Sequence, residues 1–146
     1  MQISEKSFGD LRGFADLHLH TRFSDGELSV EDLIRLAKKK GLRCISITDH
    51  DNLDSFQAAI EPAREANLEI IPGIEISSVW QGRDIHILGY FCDPTNLALN
   101  LELENFMRQR ITRAKAIIKK LNALGIDIRY EKVASYCKGK VIGRPH

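Results

Sequence analysis

The chain has 146 residues, 43% of them hydrophobic and 28% charged, with Lys plus Arg at 21 against Asp plus Glu at 20. That size and balance suit one globular domain and exclude a disordered chain. A net charge of +1 supplies no overall basic field for duplex DNA or an anionic membrane, so an acidic ligand has to be held by local clusters.

Met1 to Gly13 is polar and has no apolar core of the kind a signal peptide needs. No apolar run approaches the roughly 20 residues that span a bilayer. Cys44, Cys92 and Cys137 form no CxxC pair. They read as reduced thiols of a cytoplasmic protein, neither a disulfide framework nor a cysteine zinc site.

Phe14 to His20 alternates apolar and polar residues and predicts a first strand. A polar turn, Ser24-Asp25-Gly26-Glu27, leads to a helix that Ser29 can cap, with Asp32 three residues on as capping-box partner. Val30, Leu33, Ile34 and Ala37 make its apolar face. Lys38-Lys39-Lys40 and Gly41 end it, because cations suit a helix C-terminus and glycine the position beyond. Cys44 to Thr48 predicts a second strand, and Ser55 to Ala66 a second helix that Pro62 kinks or splits. Leu68 to Ile74 predicts a third strand, broken by Pro72-Gly73. Glu75 to Trp80 and Asp84 to Phe91 predict two more, joined by a Gln81-Gly82-Arg83 turn. The β-α-β-α-β order implies parallel strands with helical crossovers.

After Asp93-Pro94 the character changes. Leu103, Phe106, Met107, Ile111, Ala114, Ile117, Ile118, Leu121 and Leu124 recur with helical spacing inside a helix expected from Leu97 to Leu124, which Gly125 ends. A short helix is expected within Tyr130 to Cys137, followed by a last segment from Gly139 to His146.

The chemistry-bearing residues gather near strand ends. His18 and His20 are two apart on a strand, so both point to one face. Taken alone, that pair reads equally well as two packed histidines or as two ligands. The next strand ends in Thr48-Asp49-His50-Asp51, the third in Pro72-Gly73-Ile74-Glu75, and His86 follows in Asp84-Ile85-His86; Asp25 sits in the loop after the first strand. In parallel α/β barrels that rim is the functional face. Unrelated surface residues explain one such cluster easily and several poorly. Imidazole plus carboxylate suits Zn, Mn or Fe, and Glu75 can bridge two ions. Asp16 and Asp49 either support these ligands or face solvent.

Together, Asp16-Leu17-His18-Leu19-His20-Thr21, Ser24-Asp25-Gly26, Thr48-Asp49-His50-Asp51, Pro72-Gly73-Ile74-Glu75-Ile76-Ser77 and His86-Ile87-Leu88-Gly89 resemble the PHP (polymerase and histidinol phosphatase) family of metal-dependent phosphoesterases. The likeness runs from about Phe14 to the last residue. It implies an α/β fold, the N-terminal part of a distorted (β/α)7 barrel with a helical insertion after about residue 95. The corresponding division is barrel elements at 14–93, insertion at 95–138 and a continuation at 139–146, all in one incomplete domain. It implies that His18, His20, Asp25, His50, Glu75 and His86 bind up to three divalent ions, often manganese, with zinc or iron as alternatives. Glu75 bridges in that scheme, and metal-bound water attacks phosphorus.

Arg110-Ile111-Thr112-Arg113-Ala114 and Ile142-Gly143-Arg144-Pro145-His146 resemble the branch acting on nucleoside 3′,5′-bisphosphates or the 5′ ends of short RNA. There an arginine-bearing helix and an Arg-x-His segment contact phosphate. The resemblance makes Arg110, Arg113, Arg144 and His146 phosphate-binding candidates, with His146 also a candidate acid. Arg110 and Arg113 do share a helix face, and guanidinium forks match phosphate oxygens. Without the resemblance a solvated basic face is the simpler reading, since Arg108, Lys115, Lys119 and Lys120 decorate the same helix. The family's later ligands, a His in an Ala-His-Pro-like segment and an Asp-x-His pair, have no counterpart in this sequence. The chain therefore reads as an N-terminal portion with an unpaired strand edge open to self-association. Two other functions compete with the phosphoesterase: a catalytically incomplete metal-binding or interaction module, and a metal-dependent C–N hydrolase. The second gives the arginines little to hold.

Overall fold

The computed structural model describes residues 13–137, 139 and 141–146. The polar stretch before Gly13, and Lys140 in the last segment, lie outside the described residues. The elements are β1 (Ala15–Leu19), α1 (Val30–Lys39), β2 (Cys44–Ile47), α2 (Asp54–Glu65), β3 (Glu69–Trp80), β4 (Arg83–Tyr90), α3 (Leu97–Ala123) and α4 (Tyr130–Ala134).

Ser29 caps α1 by accepting the Asp32 N–H at 3.1 Å, while its hydroxyl donates to the Asp32 carboxylate at 3.0 Å. Gly41 follows the helix at φ +78°, a left-handed conformation that suits glycine. The predicted face, Val30, Leu33, Ile34 and Ala37, is buried. It packs with Ala59 and Ala63 of α2 and with Ile45, Ile47 and Leu68. Burying each Leu, Ile or Val stabilises by roughly 1.5–3 kcal/mol, so this cluster is the main apolar core.

Pro62 does not split α2, which runs through it. The carbonyl deprived of a partner is that of Ala58, an exposed residue, so water can take its place. The break expected at Pro72-Gly73 is also absent, and the third and fourth predicted strands are one strand, β3. Pro72 stands at the handover between two pairings. It is opposite Ile47 of β2, and the next residue, Gly73, is opposite Tyr90 of β4. That is where a missing ladder donor costs least. Gly73 is needed for a different reason: a Cβ there would collide with the Ser46 side chain, 2.1 Å away.

The sheet order is β1-β2-β3-β4, parallel across β1, β2 and β3 and antiparallel between β3 and β4. β1 and β4 are thus the two edges among the described strands. Phe14, Val79, Trp80, Ile87 and Phe91 are exposed. Along α3 the helical period is present, but Leu103, Arg110 and Ile118 are its buried residues, and Leu97, Leu101 and Leu124 face outward. A small cluster of Leu53, Ile74 and Leu103, with Phe106 and Leu99 packed on it, seats the helix against β3. None of the described helices is long and apolar enough to cross a membrane.

Candidate metal centre

The C-terminal ends of β1 and β2, the middle of β3 and the middle of β4 converge on Glu75. Its Oε2 lies 3.1 Å from His18 Nε2, 2.9 Å from His20 Nε2 and 3.6 Å from His50 Nδ1. Its Oε1 lies 2.7 Å from His86 Nδ1. Asp25 approaches from the loop after β1, 3.3 Å from His20 Nδ1 and 3.5 Å from His50 Nε2. The rings run in a chain, with centroids 5.2 Å apart for His18–His20, 4.8 Å for His20–His50 and 4.7 Å for His50–His86. Every residue expected to bind metal is therefore in one cluster. It resolves into three overlapping triads: His18-His20-Glu75, His20-Asp25-His50 and His50-Glu75-His86.

The electrostatics follow from this crowding. Burial pushes the Glu75 carboxyl up, but hydrogen bonds from His18 and His86 and the charges of His50 and His20 outweigh it and hold it below the ordinary carboxylate value. Burial lowers the His50 pKa and prevails over the Asp25 and Glu75 charges that raise it. Glu75 is thus an anion and His50 a neutral imidazole near neutral pH, the forms that ligate metals. His50 Nδ1 is buried without a hydrogen-bond partner, which is costly for a polar atom unless something else takes its lone pair. Imidazole nitrogens and carboxylate oxygens this close together fit divalent cations. Burial pushes the thiols of Cys44, Cys92 and Cys137 up, and none of the three belongs to these triads.

The support beneath the cluster is built from short side chains. Asp49 is fully buried. It accepts the Thr21 N–H at 2.8 Å, the Thr21 hydroxyl at 2.6 Å and the Ser24 hydroxyl at 2.5 Å. That pins the turn carrying His20 and Asp25 to the end of β2. Gly26 is required in this turn because a Cβ there would meet the His20 carbonyl at 2.4 Å. Asp16 accepts the His18 N–H at 3.3 Å. Asp51, at φ +50°, donates its N–H to the Glu75 carbonyl and accepts the Ser77 N–H at 2.7 Å. Sequence reasoning missed Thr21 and Ser77 as supports. The signal available was their adjacency to His20 and Glu75 in the motifs.

The phosphate-binding candidates are placed differently from one another. Arg113 is exposed and lines a cavity of about 590 Å³ that His50, His86, Phe106 and Arg144 also line. Arg144 spans to Asp84 at 2.7 Å. His146 accepts the Gly143 N–H on Nδ1 at 3.0 Å and lines a neighbouring cavity with Asp25. Arg110, which the sequence reading groups with the phosphate ligands, lines the same cavity but is buried against the protein. It is 8% exposed, with Nε on Asp51 at 2.7 Å, one terminal nitrogen on Ser77 Oγ at 2.6 Å and the other 3.5 Å from the Ile142 carbonyl.

Residues 16–131 match the PHP domain. The chain belongs to the PHP family. A 5′-3′ exoribonuclease of Haemophilus influenzae is 36% identical over 126 residues, covering 86% of this chain and 46% of that protein. A 3′,5′-nucleoside bisphosphate phosphatase of Chromobacterium violaceum is 30% identical over 132 residues, 90% of this chain and 46% of that one. Among solved structures, one described as a putative metal-dependent phosphoesterase from Bifidobacterium adolescentis superposes with a TM-score of 0.83 at 31% identity, covering 92% of this PHP chain and 48% of that chain. Another, described as an amidohydrolase from Chromobacterium violaceum with bound sulfate and no metal, gives 0.83 at 30%, covering 89% and 46%. The PHP chain spans about half the length of the curated relatives it matches, and its curled sheet is the N-terminal part of a PHP barrel.

Proposed function

We propose that this chain carries much of the metal centre of a phosphoesterase that hydrolyses phosphate monoesters of nucleotides, either nucleoside 3′,5′-bisphosphates or the 5′ ends of short RNA. The observation that carries this reading is the convergence of four imidazoles and Asp25 on and around Glu75, beside a cavity that Arg113 and Arg144 line. Manganese is the proposed ion and the cytoplasm the proposed compartment. When bound, such ions activate water and neutralise charge on a phosphoryl group.

The chain's own residues then have distinct tasks. His18, His20, Asp25, His50, Glu75 and His86 would hold the ions. Arg113 and Arg144 orient a phosphate, since guanidinium donors match its oxygens. The Gly143 N–H occupies Nδ1 of His146 and leaves its Nε2 open. That nitrogen can donate to a phosphate or leaving oxygen. The 3′,5′-bisphosphate phosphatase and exoribonuclease names of the relatives support this substrate class. A neutral cyclic amide offers Arg113 no anionic group to hold, which disfavours a C–N hydrolase.

The deciding experiment is phosphate release from adenosine 3′,5′-bisphosphate with added Mn²⁺, beside His20→Ala and beside a cyclic amide substrate. The proposal expects phosphate release that His20→Ala abolishes. A folded, manganese-loaded protein that releases no phosphate would favour the metal-binding module instead.

A further inference from the structure

Within the metal-site reading proposed above, Arg110 needs its own account. It sits on α3, while the cluster is built by the sheet. All three of its guanidinium nitrogens meet protein atoms, so three of its five N–H donors are committed to the protein although it lines the same cavity as Arg113. Its anionic partner, Asp51, follows His50 directly and is 1% exposed. Asp51 joins two stretches of backbone: its N–H donates to the Glu75 carbonyl and its Oδ1 accepts the Ser77 N–H. The Glu75 N–H in turn donates to the Asp49 carbonyl at 3.3 Å, and His50 pairs with Glu75 as an isolated bridge. Asp51 also holds a left-handed backbone at φ +50°, which a non-glycine residue keeps only where its surroundings enforce it. Arg110 supplies the charge that a buried Asp51 requires and grips Ser77 with its other edge.

We infer that Arg110 is a positioning residue: through Asp51 and Ser77 it fixes the backbone carrying His50 and Glu75, so helix α3 sets the geometry of the metal cluster. Phosphate recognition then falls to Arg113 and Arg144. The two arginines three residues apart on one helix both line the cavity but do different work: Arg110 is buried and grips the backbone beside His50 and Glu75, while Arg113 is exposed.

Cobalt(II) titration of the full chain tests this, because the affinity and the visible d–d band report ligand geometry without any turnover. Arg110→Met is expected to weaken Co²⁺ binding by about 10–100-fold, the range for removing a residue that orients ligands, and to alter the band. Arg110→Lys keeps the charge but loses the fork and should recover only part of the affinity. Arg108→Ala, an exposed change on the same helix, should match the wild type. Wild-type affinity and an unchanged band in a folded Arg110→Met would overturn the inference. Should Arg110→Met fail to fold, Ser77→Ala removes one of the same contacts. It is expected to weaken Co²⁺ binding several-fold, and an unchanged value there overturns the inference equally. A wild-type chain that binds no Co²⁺ would refute the metal-site reading itself, and the inference with it.

Discussion

The two ends of this chain bury their polar groups by opposite means. From β1 through β3, an apolar core under α1 and α2 holds the sheet, and the carboxylate at the end of β2, Asp49, is satisfied by neutral donors from the Thr21–Ser24 turn. From α3 onward few of the described apolar side chains are buried, and two charged contacts tie this region down, Arg110 to Asp51 and Arg144 to Asp84. Two carboxylates two positions apart in one motif, Asp49 and Asp51, thus serve different masters. Asp49 closes a local turn, and Asp51 receives a guanidinium 59 residues away in sequence. The first region is able to specify its own geometry. The second is attached at a small number of points, so its influence on the metal cluster passes through those points.

The largest effect should come from disturbing the first region. Asp49→Ala strands the Thr21 N–H and the Thr21 and Ser24 hydroxyls in a buried site, at about 1–3 kcal/mol for each donor left unpaired. A total of roughly 3–9 kcal/mol is a large share of the 5–15 kcal/mol typical of a domain. Urea denaturation should show this directly, and an Asp49→Ala midpoint equal to wild type would refute the role given to Asp49. Asp49→Asn keeps the shape and one acceptor. It should fold, yet lose metal affinity, because the turn carrying His20 and Asp25 is then held less firmly.

That asymmetry also explains what the sequence does and does not disclose. The Ser29 cap, the face of α1, the Gln81-Gly82 turn and the period of α3 are local signals, and local signals are legible. The grouping of the candidate residues is legible too, because parallel strands deliver their ends to one rim, so His18, His20, His50 and Glu75 could be placed together before any geometry was known. Pro72-Gly73 misleads because that dipeptide usually marks a turn, whereas here Gly73 clears space for Ser46 within a continuous strand. The fate of Arg110 was illegible for a different reason. Its position on the helix is that of a surface cation, and nothing in the spacing of Arg110 and Arg113 says which of them pairs with a buried carboxylate beside β3.

A change at Arg113 probes the second region where it meets the cavity. Arg113→Ala removes one charge-assisted contact to a phosphate, worth about 1.5–3 kcal/mol, or roughly 10–100-fold in KM. Metal affinity should be untouched, because Arg113 reaches none of the three ligand triads. Steady-state kinetics on adenosine 3′,5′-bisphosphate, in whatever assembly of this chain proves active, would check it. An unchanged KM would remove Arg113 from the substrate site.

The smallest expected effect is the sharpest comparison, because the same chemistry occurs once in each region. Ser29 caps α1 by accepting the Asp32 N–H at 3.1 Å, and Asn96 caps α3 by accepting the Leu99 N–H at 2.9 Å. Either change to Ala removes a cap worth about 1 kcal/mol. For Ser29 the helix is packed on the main core, so its loss is shared by the whole cooperative unit. Thermal unfolding should shift by roughly 2–4 °C. For Asn96 the first turn of α3 carries exposed Leu97 and Leu101, so the helix can fray there without unfolding the sheet. The global midpoint should hardly move, while hydrogen exchange of the first amides of α3 speeds up. Equal midpoint shifts in the two variants would mean that α3 belongs to the same cooperative unit as the sheet, and the division between the regions would have to be abandoned.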